Sequence, residues 1–474
     1  MSAASQEFLR KAIIKSSDLE HRALIQKGML SYDAAHAKGK SRFADWEGAR
    51  ARCSAVKAEG IANLGKYLIE FEQNIIERGG HVHWAENAEQ ANDYVVDLAR
   101  TRNVKTVVKS KSMVTEEIHL AGALEKIGVT VWETDLGEFI VQLRNEPPYH
   151  IVTPAMHLSR RQIADLFREK LGEDVADADP GRLVAAARVA LRRAFFSAEM
   201  GISGANFLVA DTGMVALSTN EGNGRLTTSI PRIHVVVAGI EKVIPRMSDL
   251  AVLWPVLATS GTGQPITTYS TLIRGASIAG EPDGPREVHI VLVDNGRTEL
   301  LADAETEEVL KCIRCGACLN ICPIFRQVGG HTYGSIYPGP IGSIFTPRTD
   351  SLSEWGHLSY ACSLCTACKG VCPVKIDLPK QLLLTRRDFI ATGNVKPAER
   401  VGFAGFRWAT ASAPRFRLVG WMGRKALALV NALGLSGTAL DPMRVWTKYR
   451  SPMTLPKQSF RAWWKENGSK NGNK

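Results

Sequence analysis

The sequence predicts an α/β domain with a largely parallel sheet and, appended to it, a mainly α-helical module. The first observation is an alternation: from Gly79 to about residue 300, short β-branched runs alternate with helical stretches, as is typical of such sheets. The second is the cysteine distribution, because eight of the nine cysteines follow this region in two copies of one pattern. At 474 residues the chain is also too long for one ordinary hydrophobic core, so we expect several domains.

The predicted elements follow in order along the chain. Residues 1–70 predict an N-terminal helical segment, because Ala, Lys and Glu are frequent there and helix breakers are few. In the α/β domain, residues 71–300, we predict strands at 106–108, 129–132, 207–210, 214–217, 233–238 and 288–293, and helices at 88–100, 115–126, 160–171 and 180–200. In the cysteine module, residues 301–392, a helix at 305–311 leads into the first cysteine, and the Gly- and Pro-rich residues 327–349 predict an ordered loop. Residues 393–474 form a basic, Trp-rich C-terminal region.

Both cysteine runs have the pattern C-x2-C-x2-C-x3-C-P. The thiolate is the soft ligand that iron–sulfur clusters require, and this pattern is typical of bacterial ferredoxins with two clusters. In that arrangement the fourth cysteine of each run ligates the cluster of the other run. The sequence therefore predicts two 4Fe–4S clusters, one held by Cys312, Cys315, Cys318 and Cys372 and the other by Cys362, Cys365, Cys368 and Cys322. The 40 positions between Cys322 and Cys362 favour a helical two-cluster domain over a compact ferredoxin.

Disulfides and zinc sites are the alternatives for these cysteines. Disulfides would require an exporting signal, and residues 1–10 do not resemble one. Zinc sites usually place their ligands in separated C-x2-C pairs. Reduced cysteines, the lack of a signal peptide and labile clusters together predict a cytoplasmic protein. No uninterrupted apolar run reaches the length of about 18 to 20 residues that a membrane span needs. The ninth cysteine, Cys53, stands alone and predicts a small buried apolar side chain.

The positive charge is concentrated in the C-terminal region. Residues 396–474 hold 15 Lys or Arg against 3 Asp or Glu, whereas the whole chain has a formal net charge of +11. The region also holds five of the ten tryptophans, at positions 408, 421, 446, 463 and 464. Such a tail could contact nucleic acid, an anionic membrane surface or an acidic partner protein. Without a nucleic-acid motif, we expect docking to a partner or at the inner membrane face, and an extension that wraps its own protein is the alternative.

Polar residues cluster where the predicted strands end. Ligands of open α/β sheets bind beyond the carboxyl ends of the strands, and lysines, hydroxyls and a Gly-rich loop there could receive a carboxylate or phosphate. The candidate pocket residues are Lys109, Lys111, Glu133, Asn220, Glu221 and Arg225. The alternative is that the lysines are solvated and the glycines only make a turn. The sequence contains neither a phosphate-binding P-loop nor a G-x-G-x-x-G fingerprint, so a nucleotide cofactor is not predicted.

Several motifs of the α/β region resemble a known domain. They are residues 78–85 (RGGHVHWA), 109–117 (KSKSMVTEE), 133–138 (ETDLGE), 201–206 (GISGAN), 220–225 (NEGNGR) and 293–297 (VDNGR), which resemble the lactate-utilisation (LUD) domain. That domain, followed by a double 4Fe–4S module and a basic tail with LPKQSF at 455–460 and RAWW at 461–464, resembles the lactate-utilisation protein B family. The resemblance covers essentially the whole chain, and it implies a LUD fold similar to sugar-phosphate isomerases and CoA transferases.

The resemblance also implies a function. The family takes part in oxidising L-lactate to pyruvate as one of three cooperating proteins, the others being a cysteine-rich iron–sulfur protein and a smaller LUD-domain protein. We therefore expect the electron-transfer subunit of an L-lactate dehydrogenase complex, an oxidoreductase of L-lactate catabolism. The LUD pocket would bind either the hydroxy acid, with Lys109 and Lys111 pairing its carboxylate, or a partner chain. Because the sequence shows no flavin site, we expect a partner to supply the two-electron centre.

Two other functions remain open on the sequence alone. The LUD domain could sense a metabolite or act as a scaffold while the clusters brace the structure. Alternatively, the chain could be a redox subunit for another 2-hydroxy acid such as glycolate, because a ferredoxin-type module does not name its substrate.

Overall fold

The computed structural model describes residues 2–175, 177–393, 397–441, 443–447, 450–451 and 455–468. The chain divides into two compact units, Met1–Asn394 and Val395–Lys474. Four basic residues of the predicted tail, Lys396, Lys448, Lys470 and Lys474, lie outside the described residues.

Ten strands form two sheets among the described residues of the first unit. In chain order they are β1 Gly80–Ala85, β2 Thr106–Lys109, β3 Thr130–Glu133, β4 Met200–Ser203, β5 Phe207–Val209, β6 Met214–Thr219, β7 Ile233–Gly239, β8 Val243–Ile244, β9 Tyr269–Ile273 and β10 Glu287–Val293. The larger sheet has the order β1-β10-β7-β4-β2-β3, and every pair in it is parallel. The smaller sheet has the order β8-β5-β6-β9 and is mixed.

The larger sheet has the burial expected of a parallel sheet. All seven residues of β7, near its centre, are buried, because helices cover both faces of such a sheet. In the register of the strands, Lys109 at the end of β2 lies beside Glu133 of β3 and Ile202 of β4. The carboxyl ends of these strands therefore lie at one edge. The predicted α/β class with a parallel sheet is confirmed.

The helices fall into four groups. The N-terminal ones are α1 Ala3–Ser17, α2 Leu19–Lys40, α3 Trp46–Ala62 and α4 Leu64–Ile76. The α/β region holds α5 Ala88–Thr101, α6 Met113–Glu117, α7 Leu120–Glu125, α8 Leu136–Leu143, α9 Arg160–Leu171, α10 Pro180–Ser197, α11 Asn223–Ser229, α12 Leu250–Thr262 and α13 Arg297–Ala302. The cysteine module holds α14 Ala317–Asn320, α15 Pro323–Val328, α16 Gly339–Thr349, α17 Leu352–Trp355, α18 Ala367–Val371 and α19 Leu378–Ala391. The second unit holds α20 Pro397–Thr410, α21 Ala413–Ala432, α22 Arg444–Thr447 and α23 Phe460–Asn467.

The N-terminal helices share one hydrophobic core with the smaller sheet and the cysteine module. Met29, Cys53 and Phe71 from these helices are fully buried in the same cluster as Val243 of β8 and Leu319 of α14. The helices also contact the module through polar groups, since Arg50 of α3 donates two hydrogen bonds to the carbonyl oxygen of Cys372, at 3.0 and 2.7 Å. The N-terminal segment therefore helps to position a cysteine.

Several local elements differ from the sequence prediction, three of them as follows. The predicted helix 180–200 ends at Ser197, and Met200 begins the buried strand β4. The predicted helix 115–126 is divided into α6 and α7 at His119, which has a left-handed φ of 54°. Residues 327–349 are not one loop, because they contain α16, in which Pro340 occupies the first turn, where a missing N–H costs nothing.

The described part of the second unit contains helices with exposed aromatic side chains. All five predicted tail tryptophans are between 45 and 60% exposed. Among the described residues, no helix is long and apolar enough to cross a membrane.

Candidate functional site

The fold gathers the eight cysteines of the two runs around two cavities. The first cavity is lined by Cys312, Cys315 and Cys318 of the first run and by Cys372 of the second. The second is lined by Cys362, Cys365 and Cys368 of the second run and by Cys322 of the first. Cys53 lies apart from both, buried under α12 with its Sγ 3.6 Å from the carbonyl oxygen of Val252. Each cavity thus combines three cysteines of one run with the last cysteine of the other.

The two runs have the same backbone shape. The third and fifth positions have positive φ in both: Arg314 (59°) and Gly316 (79°) in the first run, Leu364 (55°) and Thr366 (64°) in the second. Non-glycine residues rarely take this conformation, so three of them at matched positions mark an imposed geometry. Alternating right- and left-handed residues turn successive N–H groups towards one centre, which suits an anionic group.

The sulfur atoms receive backbone hydrogen bonds. The N–H of Leu364 donates to Cys362 Sγ and the N–H of Ile376 donates to Cys372 Sγ, both at 3.3 Å. Burial raises the pKa of Cys368 to about 12 and that of Cys372 to about 11, so a free thiolate is disfavoured there. Four sulfurs around one apolar cavity, with N–H donors to sulfur, are a donor set that fits a 4Fe–4S cluster, whose iron compensates the thiolate charge.

The two cysteine sets differ in exposure. In the first set, Cys315, Cys318 and Cys372 are buried and Cys312 is partly buried, whereas in the second set Cys365 is exposed. The first set lies in the interior, next to the α/β region, and the second reaches the surface.

A larger cavity adjoins the first cysteine set. Its volume is about 360 Å³, within the usual range for small-molecule pockets, and its wall shares Ile151, Arg314 and Cys315 with the first cysteine cavity. Three of the six predicted pocket residues, Lys111, Asn220 and Glu221, line it.

The sequence-predicted residues in this cavity are partly engaged by neighbours. Lys111 Nζ donates to the carbonyl oxygen of Val152 at 2.6 Å and lies 3.9 Å from Asp135 Oδ2. Glu221 accepts a hydrogen bond from the N–H of Leu136 at 3.2 Å, and burial, followed by the charge of Asp135, raises its pKa.

The other three predicted pocket residues lie elsewhere. Lys109 is fully buried, and its Nζ lies 2.9 Å from Glu116, 2.8 Å from Glu133 and 3.8 Å from Glu138. Burial alone would lower the pKa of Lys109, but these carboxylates hold it well above its ordinary value. Lys109 and Glu133 thus pair internally outside the cavity, and the guanidinium of Arg225 lies 5.6 Å from the ring centroid of Tyr269. The structure therefore does not bring all six residues together.

Two positively charged residues that line the cavity were not among the pocket residues predicted from the sequence. Lys242 ends a short 3-10 helix, Ile240–Lys242, that follows the central strand β7, and Arg314 lies inside the first cysteine run. The rule that ligands bind beyond strand ends would have found Lys242, had it been applied to β7 as well. No sequence pattern indicated a role for Arg314, because it stands at a variable position of the cysteine motif.

Both cations belong to a buried charge network. Arg297, with no exposed surface, lies 2.6 Å from Glu241 and 2.9 Å from Glu117. Glu241 also lies 3.7 Å from Arg314. Burial would raise the pKa of Glu241, but Arg297, Lys242 and Arg314 lower it to about 2.

Lysines complete this network. Lys57 of α3 is buried and donates to the backbone carbonyls of Glu241 and Val243. Burial lowers the pKa of Lys57 to about 7 and that of Lys242 to about 8. With four basic and two acidic members, the network carries an excess of positive charge beside the first cysteine set.

The fold and this site define an iron–sulfur protein in which an α/β domain is joined to a cluster-binding module. Three family models match successive parts of the chain: the LUD domain at residues 68–293, the 4Fe–4S dicluster domain at 308–376 and the C-terminal domain of lactate utilisation protein B at 391–469. The 4Fe–4S cofactor type is thereby confirmed.

Curated relatives match over nearly the whole chain. Lactate utilization protein B of Bacillus cytotoxicus is 43% identical over 92% of this chain and 92% of its own length. Lactate utilization protein B of Oceanobacillus iheyensis is 40% identical over 97% of this chain and 99% of its own. The chain belongs to the lactate utilisation protein B family, as its motifs predict. A solved structure of a DUF162 family protein from Deinococcus radiodurans, 14% identical, covers 48% of this chain and 98% of its own with a TM-score of 0.28.

Proposed function

We propose that this chain is the iron–sulfur electron-transfer subunit of a complex that oxidises L-lactate to pyruvate. The observation that carries the proposal is the pairing of two four-cysteine cavities with a ligand-sized cavity that shares Cys315 with the first of them. Membership of the lactate utilisation protein B family supports a role in lactate utilisation and in iron–sulfur electron transfer.

In this proposal the eight cysteines are the cluster ligands. Cys312, Cys315, Cys318 and Cys372 hold one 4Fe–4S cluster, and Cys362, Cys365, Cys368 and Cys322 hold the other. When bound, such a cluster accepts and donates one electron at a time. The protein contributes burial, N–H donors to the sulfurs and fixed positions for both ligand sets.

The proposed complex has two further proteins. One is a cysteine-rich iron–sulfur protein and the other is a smaller LUD-domain protein of the same pathway. Lactate oxidation releases two electrons, so we assign the two-electron centre to a partner and the one-electron transfer to this chain.

An anaerobic experiment tests the assignment. The purified chain is mixed with L-lactate, first alone and then with the two partner proteins, while electron paramagnetic resonance follows the clusters. Reduction that needs the partners supports the proposed subunit. Reduction of the chain alone would move the two-electron chemistry into this chain. If lactate reduces no cluster in either mixture, the electron-transfer function is refuted, and a sensor or scaffold role replaces it.

A further inference from the structure

The cavity next to the first cysteine set contains buried polar groups that lack partners. Lys242 is 6% exposed and lines the cavity, near the charge of Glu241. Arg314 Nε and Nη1 are buried without a hydrogen bond. Asn223 Oδ1 and Ser218 Oγ, from two other lining residues, are also unpartnered. Leaving such groups unpaired costs free energy, so this concentration of them indicates a bound polar molecule.

The charges around the cavity are not balanced. Lys111 has Asp135 nearby at 3.9 Å, so its charge is offset within the cavity. The acid near Lys242 and Arg314 is Glu241, whose Oε2 lies 2.6 Å from Arg297 and whose Oε1 lies 3.7 Å from Arg314, so one carboxylate faces three cations. Cations therefore outnumber acids at this end of the cavity, which favours an anionic ligand.

The second cysteine run provides an internal comparison for Arg314. Leu364 occupies the matching position there, with nearly the same backbone angle, φ 55° against 59°. Because leucine supports that backbone beside the second cysteine set, a cluster does not require a guanidinium at this position. Arg314 instead lies with its guanidinium 4.1 Å from the ring centroid of Phe345 and 4.6 Å from that of Tyr337, which hold it against the cavity wall.

We propose that this cavity binds a small carboxylate, a 2-hydroxy or 2-oxo acid, and that Lys242 and Arg314 hold its carboxylate group beside Cys315. The proposal rests on the proposed function for the choice of acid, but the site itself rests on the excess of cations and on the polar atoms without hydrogen bonds. The hydroxyl group of a 2-hydroxy acid can donate to Asn223 Oδ1, and a hydroxyl or an oxo group can accept a hydrogen bond from Ser218 Oγ. This ligand class explains why the cavity is both positively charged and rich in neutral polar groups.

Direct binding to the holoprotein tests the site. L-lactate and pyruvate are titrated anaerobically into the full chain by isothermal titration calorimetry, with lactamide as a neutral analogue of lactate. We expect both acids to bind and lactamide to bind at least about tenfold more weakly, because a charge-assisted contact is lost. The proposal is overturned if neither acid binds at about 10 mM, ten times the upper end of common KM values, or if lactamide binds as well as lactate.

Two variants and a matched control identify the residues. Arg314→Leu copies the residue of the second run, and Lys242→Gln removes the charge while keeping polarity. Each is expected to weaken lactate binding about tenfold or more while iron content stays unchanged. The exposed Lys105→Gln is the control and keeps wild-type affinity. If both cavity variants retain their iron and bind lactate as the wild type does, the assignment of these residues is refuted.

A spectroscopic measurement covers the case in which the variants lose iron. In wild-type protein reduced with dithionite, lactate is expected to alter the cluster signal that Cys315→Ser removes and to leave the other signal unchanged. Lactate binding that leaves both signals unchanged would put the acid away from the first cysteine set. The outcomes also separate the two proposals: partner-dependent reduction without binding to this chain would refute only the site, and binding without any reduction would refute only the electron-transfer function.

Discussion

Removing Arg297 should destabilise the first unit more than any surface change. The side chain has no exposed surface and donates to Glu241, to both carboxylate oxygens of Glu117 and to the carbonyl oxygen of Asp294. Arg297→Met keeps most of the volume but leaves two buried carboxylates without their main partner. Breaking a buried ion pair in this way typically costs about 3–5 kcal/mol.

The lowered pKa of Glu241 gives a second value for the free-energy cost of losing these ion pairs. The carboxyl is fully buried, and its pKa is lowered from 4.5 to about 2, which corresponds to about 3 kcal/mol of stabilisation of the charged form. Because the folded-state pKa is lowered, this stabilisation is present above about pH 4.5 and is lost as the pH falls towards 2. A measurement at pH 7.5 therefore captures it in full.

The assay is anaerobic urea unfolding of the holoprotein, followed by far-ultraviolet circular dichroism. We expect Arg297→Met to lower the free energy of unfolding by about 3 kcal/mol or more. The double variant Arg297→Met/Glu117→Gln should lose less than the sum of the single changes, since the residues share an interaction. Arg10→Met, which removes an exposed ion pair with Glu7, is the control and should leave the midpoint unchanged. An Arg297→Met variant as stable as this control would refute the assigned role of the network.

Three further predictions concern single residues. Cys365→Ser should lose about half of the bound iron, measured by chemical iron analysis, while Cys53→Ser retains it all; equal iron in both variants would contradict the ligand sets. Tyr337→Phe removes the hydroxyl that donates to Glu117 at 2.7 Å and should cost about 1.5–3 kcal/mol in urea unfolding, against no change if the hydroxyl is unimportant. Gly213→Ala places a Cβ 2.5 Å from the N of Ile75 at φ 63° and should lower the melting temperature, which a wild-type value would disprove.

The cysteine chemistry could be predicted because it depends on short spacing. Four cysteines within eleven residues indicate a metal cluster independently of the rest of the fold. The ferredoxin pattern also predicts that the fourth cysteine of each run binds the cluster of the other run. The parallel sheet could also be predicted, since Ile233–Gly239 and Glu287–Val293 are Val- and Ile-rich runs, mostly apolar, of the kind that central parallel strands require. Strand β4 was missed because its four residues directly follow an Ala- and Arg-rich helix, with no breaker between them.

The ligand cavity could be predicted only in part. Lys109 at the end of β2 has the sequence features of an anion-binding lysine, but Glu116, Glu133 and Glu138 converge on it from three other elements. Such convergence depends on tertiary packing that no local pattern encodes. The same limitation applies to Arg314, because the other segments that line its cavity, apart from its neighbour Cys315, are more than 40 residues away in the sequence.

A comparison of the two cysteine runs distinguishes features that they share, as expected of cluster-binding loops, from features that depend on where each run lies in the fold. They agree in spacing, in the proline after the last cysteine and in left-handed backbone at two positions, which are the features that a bound cluster requires. They differ in side chain, Arg314 against Leu364, and in burial, Cys315 against the exposed Cys365. An interior cavity admits a small molecule, whereas an exposed ligand loop can approach another protein. For the proposed relay it follows that the second cysteine set, with the exposed Cys365, is an end that exchanges electrons with a partner protein.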